Sequence, residues 1–123
     1  MALRDGMLTS TAQYLEPEET VEAVFGAQTV SQYLWLLTGG IIFLSMNRYR
    51  IVAVTAQRIL VLDAGKLGVR KAKGVVTELP RATQLGPASG VWHVIPVNGE
   101  RLHVHRRFFK EIRTADAALS TPA

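Results

Sequence analysis

Apolar and polar positions alternate along some stretches of this chain and recur at helical spacing along others. Tyr49-Arg50-Ile51-Val52-Ala53-Val54-Thr55 is rich in β-branched residues and reads as a strand. A break at Ala56-Gln57 separates it from Arg58-Ile59-Leu60-Val61-Leu62-Asp63, bounded beyond by Ala64-Gly65, so the two form a hairpin. Val91 to Val97 and Glu100 to His105 flank Asn98-Gly99, a pair that accepts positive φ at both positions and matches the twist of paired strands. On the second arm Leu102 and Val104 face one way, and Arg101, His103 and His105 face the other. Thr20 to Val24 alternates as a strand with one wet face, and Gly74 to Leu79 is a short strand closed by Pro80. Arg81 to Leu85 is a candidate for one more before the turn Gly86-Pro87-Ala88-Ser89-Gly90, and Lys66 to Lys73 reads as an exposed loop or ragged edge strand.

Helical spacing marks both ends. Leu8, Ala12 and Leu15 predict a short helix ending before Pro17, and Phe108, Ile112, Ala115 and Leu119 predict an amphipathic closing helix. Residues 1–17 are then a helical segment, 18–119 the domain, and 120–123 a tail. Short strands followed by one terminal helix predict a small antiparallel barrel or sandwich whose open end that helix plugs. A chain of 123 residues, 48% hydrophobic and 20% charged, suits one such domain with a real core.

One segment fits neither pattern. Tyr33 to Met46 carries no charge and is flanked at once by Asn47, Arg48, Tyr49 and Arg50. Its large side chains, Leu34, Trp35, Leu36, Leu37, Ile41, Ile42, Phe43 and Leu44, would each forgo roughly 1.5 to 3 kcal/mol if left in water. Their sum rivals the net stability of a whole domain, about 5 to 15 kcal/mol. A straight membrane span takes about 20 apolar residues and this block has about fourteen, so a hairpin turning at Gly39-Gly40 or a short glycine-weakened helix is expected instead. Its cover is a lipid surface, a sister subunit or the chain's own core.

Charge separates along the chain. Met1 to Glu22 holds Arg4 against Asp5, Glu16, Glu18, Glu19 and Glu22, whereas all the other Lys and Arg residues lie in Arg48 to Arg113, which holds only Asp63, Glu78, Glu100 and Glu111 as acids; the net charge is +4. A basic body attracts anionic partners, and it also keeps a protein soluble. Lys66, Arg70, Lys71 and Lys73 form one patch and Arg106, Arg107, Lys110 and Arg113 another, but aromatics are not interleaved with them as stacking platforms for nucleic acid would require. Nucleic acid is therefore not the expected partner.

The chain has no cysteine, which removes disulfides, thiol nucleophiles and thiolate zinc sites. Its start, Met-Ala-Leu-Arg-Asp-Gly-Met-Leu, lacks the features of a secretory signal, so a cytoplasmic protein is expected. His103 and His105 stand two apart on one strand face, a spacing that can seat a metal, yet His93 is the remaining histidine and no acidic cluster joins them. Asp63 and Glu78 are single carboxylates at strand ends, and no glycine-rich phosphate loop or nucleophile elbow occurs. The expectation is no catalysis, no cofactor and no metal. Trp92, opening the second hairpin, is expected in the core.

The run Tyr49 to Asp63, preceded by Leu15-Glu16-Pro17-Glu18-Glu19 and followed by Trp92-His93 and Arg106-Arg107-Phe108-Phe109, resembles the bacterial pleckstrin-homology (PH-like) domains over roughly Glu18 to Leu119. The resemblance implies a seven-stranded bent barrel capped by a C-terminal helix, and a binding module rather than an enzyme. Ala56-Gln57 stands where family members often carry Asp or Asn followed by Arg. It also places the apolar block in the loop joining the first two strands. The block is then the expected contact surface, with Arg48 and Arg50 as an anionic-headgroup rim, on a protein peripheral at the inner face of a membrane or assembled as a homo-oligomer. The alternative is a homo-oligomeric interaction scaffold that ignores lipid.

Overall fold

The computed structural model describes residues 2–29, 48–65, 71–86, 88, 92–97 and 100–119. In chain order these form helix α1 (Ala2–Thr11) with a 3-10 turn (Ala12–Tyr14), strands β1 (Val21–Gln28), β2 (Tyr49–Thr55), β3 (Arg58–Gly65), β4 (Gly74–Pro80), β5 (Trp92–Val97) and β6 (Glu100–His105), a second 3-10 turn (Arg106–Phe108) and helix α2 (Phe109–Leu119). The strands make one antiparallel sheet in the order β4-β3-β2-β1-β6-β5, curled into a half-barrel.

The β2–β3 hairpin forms as its sequence predicts, with Val54 opposite Ile59 and Ile51 opposite Leu62. Its tight turn is held by Thr55, whose hydroxyl oxygen accepts from the Gln57 and Arg58 N–H groups at 3.2 Å each. A short side-chain oxygen does the work that an Asp or Asn does in other turns. The β5–β6 hairpin is also confirmed, with Val97 opposite Glu100 across residues 98–99.

Both faces of the central strands are covered. On the face we call inner, Phe25, Val52, Val54, Val61, Leu102 and Val104 meet Phe109, Ile112 and Ala115 of α2. On the outer face, Val24, Ile51, Ala53, Leu60 and Leu62 meet Met7 of α1, with Leu8, Tyr14 and Leu15 around them. Each such large side chain contributes roughly 1.5 to 3 kcal/mol relative to exposure. β1 is therefore buried from Ala23 to Gln28, and the wet face expected for Thr20 to Val24 is confined to its first residues.

The two helices differ in detail from their sequence patterns. α1 buries Met7 and Thr11, four residues apart, while Ala12 is exposed at the start of the 3-10 turn. In α2 the buried stripe is Phe109, Ile112 and Ala115, because Phe108 falls in the 3-10 turn; the side chain at 119 is not described.

Arg81 to Leu85 is not a strand. It turns at Pro80, whose carbonyl accepts from Thr83 N–H at 3.0 Å, and is then tied down by side chains. Asp116 on α2 accepts from the backbone N–H groups of Leu85 and Gly86, at 2.8 Å each, and His93 Nε2 lies 2.7 Å from the Leu85 carbonyl oxygen. These groups take the bonds that a neighbouring strand would have made. No seventh strand occurs among the described residues.

Between β1 and β6 the sheet splays. Gln28 opposite His103 is the paired register there among the described residues, and further along β1 the Val24 N–H is taken by Glu111 Oε1 of α2 at 3.0 Å. The helix carboxylate replaces a strand carbonyl and keeps the gap satisfied.

Candidate functional site

Leu34, Trp35, Leu36, Leu37, Ile41, Ile42, Phe43 and Leu44 lie outside the described residues, but the point where that segment joins the sheet is defined. Gln28 opposite Tyr49 ends the β1–β2 ladder, and beyond it Thr29 N–H donates to the Arg48 carbonyl at 2.9 Å while Arg48 N–H donates to Thr29 Oγ1 at 3.0 Å. The chain leaves at Thr29 and returns at Arg48 through this clasp. The arginines expected as a rim have different surroundings. Arg50 is buried in β2 and bonds Asp63 Oδ1 through Nη1 at 2.8 Å, whereas Arg48 is only partly buried.

Antiparallel order places the last residues of β1, β3 and β5 and the first residues of β2, β4 and β6 at one end of the sheet. Lys71 and Lys73 are exposed there, and Arg101, opposite Pro96 next to the β5–β6 turn, is exposed as well. At the opposite end Glu19, Arg58, Glu78, Glu22 and Arg81 are paired. Glu19 takes Arg58 in two contacts, Nη2 to Oε1 at 2.6 Å and Nε to Oε2 at 3.0 Å, and Arg58 Nη1 reaches Glu78 at 2.9 Å. Arg58 holds the Glu19 carboxyl down to about 2, with the Glu16 backbone N–H and the Thr55 hydroxyl adding to the effect against desolvation. Arg81 bonds Glu22 at 2.9 Å.

A small, half-open cleft of about 40 Å³ lies on the outer face over the β1–β6 gap, lined by Gly26, Ala27, Gln28, Tyr49, Trp92, His103, His105, Arg107 and Phe108. Gly26 carries no side chain to fill the space between the strands. Trp92 stands edge-on to the His105 ring at 5.1 Å, and the Arg107 guanidinium lies over Phe108 at 4.9 Å. His105 Nδ1 accepts from the Arg107 N–H at 3.2 Å, so the neutral ring carries its proton on Nε2. Desolvation lowers the pKa of both imidazoles; Arg101 adds to this at His103, and Arg107 and Arg106 add to it at His105.

Trp92 thus lines a half-open cleft and not the core, a correction with a simple cause. Ile95 and Val97 point inward, so strand alternation turns Trp92 and Val94 outward and His93 inward, where its ring meets Phe109 edge-on at 6.2 Å. His93 is consequently on the opposite face of the sheet from His103 and His105. Among the described residues no group of three or more His, Asp or Glu side chains is placed to hold a metal, and no helix is long and apolar enough to cross a membrane.

The parity of β5 and β6 was enough to place Trp92, His103 and His105 on one face. Tyr49, Arg107 and Phe108 join them only through the topology, and no spacing in the sequence announces it. Comparison with protein-family models, curated proteins and solved structures finds no match to the chain.

Proposed function

We propose that this chain is a non-catalytic PH-like binding module that docks on an anionic membrane surface through the apolar segment between β1 and β2. Support for the PH-like reading comes from the β1–β4 meander followed by a hairpin and a C-terminal helix packed inside the curl. The observation that carries the docking reading is the pairing of two features at one end of the sheet. The chain leaves and returns there at Thr29 and Arg48, and the exposed cations Lys71 and Lys73, just before β4, and Arg101, at the start of β6, stand at the same end.

The physics of the two features is complementary. Apolar side chains such as Trp35 and Phe43 gain roughly 1.5 to 3 kcal/mol each on leaving water, and each Lys or Arg near an anionic leaflet adds about 1 kcal/mol. Both faces of the central strands are already occupied by α1 and α2, which favours cover from outside the sheet. In this reading Leu34, Trp35, Leu36, Leu37, Ile41, Ile42, Phe43 and Leu44 are the contact, and the protein is peripheral at the cytoplasmic face.

Flotation with phosphatidylserine-containing vesicles, run beside a sizing measurement without lipid, tests this. Co-flotation that is lost with Trp35→Asp or Phe43→Asp, and weak on pure phosphatidylcholine, is the expected result. A discrete oligomer that stays with the soluble fraction in every vesicle preparation would replace membrane docking with self-association through the same segment.

A further inference from the structure

The cleft over the β1–β6 gap has unspent hydrogen-bonding capacity of one kind. Among the described residues, the Tyr49 hydroxyl, the Trp92 indole N–H, the His103 ring and the Arg107 guanidinium all line it, and no hydrogen bond to another described residue engages any of these four side chains. Indole and guanidinium are donors only, phenol donates readily, and the neutral His105 ring offers its Nε2 proton. The lining contains no carboxylate to receive them. Elsewhere in the sheet the guanidinium groups of Arg50, Arg58 and Arg81 are all bonded to carboxylates.

The walls supply the rest of the specificity. Tyr49, Trp92 and Phe108 present rings, which favour a flat apolar body. The cleft is open to solvent and its volume, about 40 Å³, is far below the roughly 300 to 1,000 Å³ of pockets for drug-sized ligands, so it takes the edge of one small body whose remainder stays in water. We propose that this cleft binds a small organic oxyanion with a flat apolar body, an aromatic carboxylate in class, held by the Arg107 guanidinium, the Tyr49 and Trp92 donors and the His105 Nε2 proton. Arginine suits the role because its planar fork matches a carboxylate in two parallel hydrogen bonds. The site is separate from the membrane reading, because it uses only the outer face of β1, β2, β5 and β6 and the turn before α2.

Titration calorimetry on the full chain without lipid tests it, with benzoate as the probe and benzamide as its uncharged counterpart. Benzoate binds saturably with a dissociation constant of roughly millimolar or tighter, and benzamide binds at least about tenfold more weakly. Arg107→Gln weakens benzoate by about tenfold or more. Because Arg107 is exposed and gives up only its stacking on Phe108, that variant stays folded with a thermal midpoint close to the parent's. Tyr49→Phe, which removes a hydroxyl and keeps the ring, weakens benzoate by a smaller factor. Equal binding of benzoate and benzamide, indifference to Arg107→Gln, or no saturable heat with benzoate would each overturn the assignment.

Discussion

The two ends of the sheet differ in which charges are paired: beside the Thr29–Arg48 clasp the buried Arg50 holds Asp63, but the surface cations Lys71, Lys73 and Arg101 there have no ion-pair partner among the described residues. At the end holding the β2–β3 turn, Glu19, Arg58 and Glu78 form one chain of ion pairs and Glu22 holds Arg81. At the end where the chain leaves through Thr29 and returns through Arg48, Lys71, Lys73 and Arg101 stand in solvent. A charge withdrawn from water must be paired to persist, and one left in water does little for stability. The first end therefore contributes to holding the fold, and the second is available for a partner.

The largest expected effect sits at the first end. The Glu19 side chain is 2% exposed and bonds Arg58, itself 22% exposed, with Thr55 O–H donating to the other carboxylate oxygen at 2.9 Å. Removing one member of a buried pair leaves its partner uncompensated, at about 3 to 5 kcal/mol. Arg58 keeps Glu78 and some water, so Glu19→Ala is expected at the lower limit, about 3 kcal/mol, in urea unfolding. Acid titration of the parent protein sharpens the point. The Glu19 carboxyl lies near 2 in the fold against an ordinary value of 4.5, so its stabilisation is complete above about 4.5 and is lost as the pH falls towards 2. His103 and His105 are also lowered, so the unfolded chain takes up their protons first and stability begins to fall as the pH drops below about 6.5. Glu19→Gln removes the lower of these two phases and leaves the upper one. An unchanged acid limb would show that the pairing at this end is not a stabilising one.

How far these features can be read from sequence depends on how local their causes are. The β2–β3 and β5–β6 hairpins and the closing helix follow from neighbouring residues, and their registers come out as the alternation predicts. β1 escapes the alternation rule because a strand covered on both faces shows no alternation, and Glu22 lies just before the buried stretch. Arg81 to Leu85 failed as a strand for a reason 30 residues away, the reach of Asp116 to Gly86 N–H. Of the cleft, Trp92, His103 and His105 were available from strand parity. Tyr49, Arg107 and Phe108 were not, because only the strand order brings them together.

A smaller loss of stability is expected midway between the ends, where α2 closes the splayed seam. Val24 N–H has Glu111 Oε1 in place of a strand carbonyl. Glu111→Ala leaves that buried donor without this acceptor and is expected to lower stability by about 1 to 3 kcal/mol, measured in the same urea series. Faster amide exchange at Val24, with little change at the β2–β3 turn, would locate the effect at the seam. A uniform change across the sheet would argue that the carboxylate supports α2 as a whole.

The smallest change in stability belongs to the cationic end, and it makes the contrast hardest to escape. Lys71 and Lys73 are exposed, and no salt bridge holds either among the described residues, so replacing both by Ala should move the unfolding free energy by no more than about 0.5 kcal/mol per site. On phosphatidylserine vesicles the same pair should lose about 1 kcal/mol per charge, roughly fivefold in affinity for each, and the loss should shrink as salt is raised. Raised salt must leave the Glu19–Arg58 contribution nearly intact, because that pair is shielded from solvent. If the double variant loses stability and keeps its vesicle affinity, the assignment of roles to the two ends is reversed.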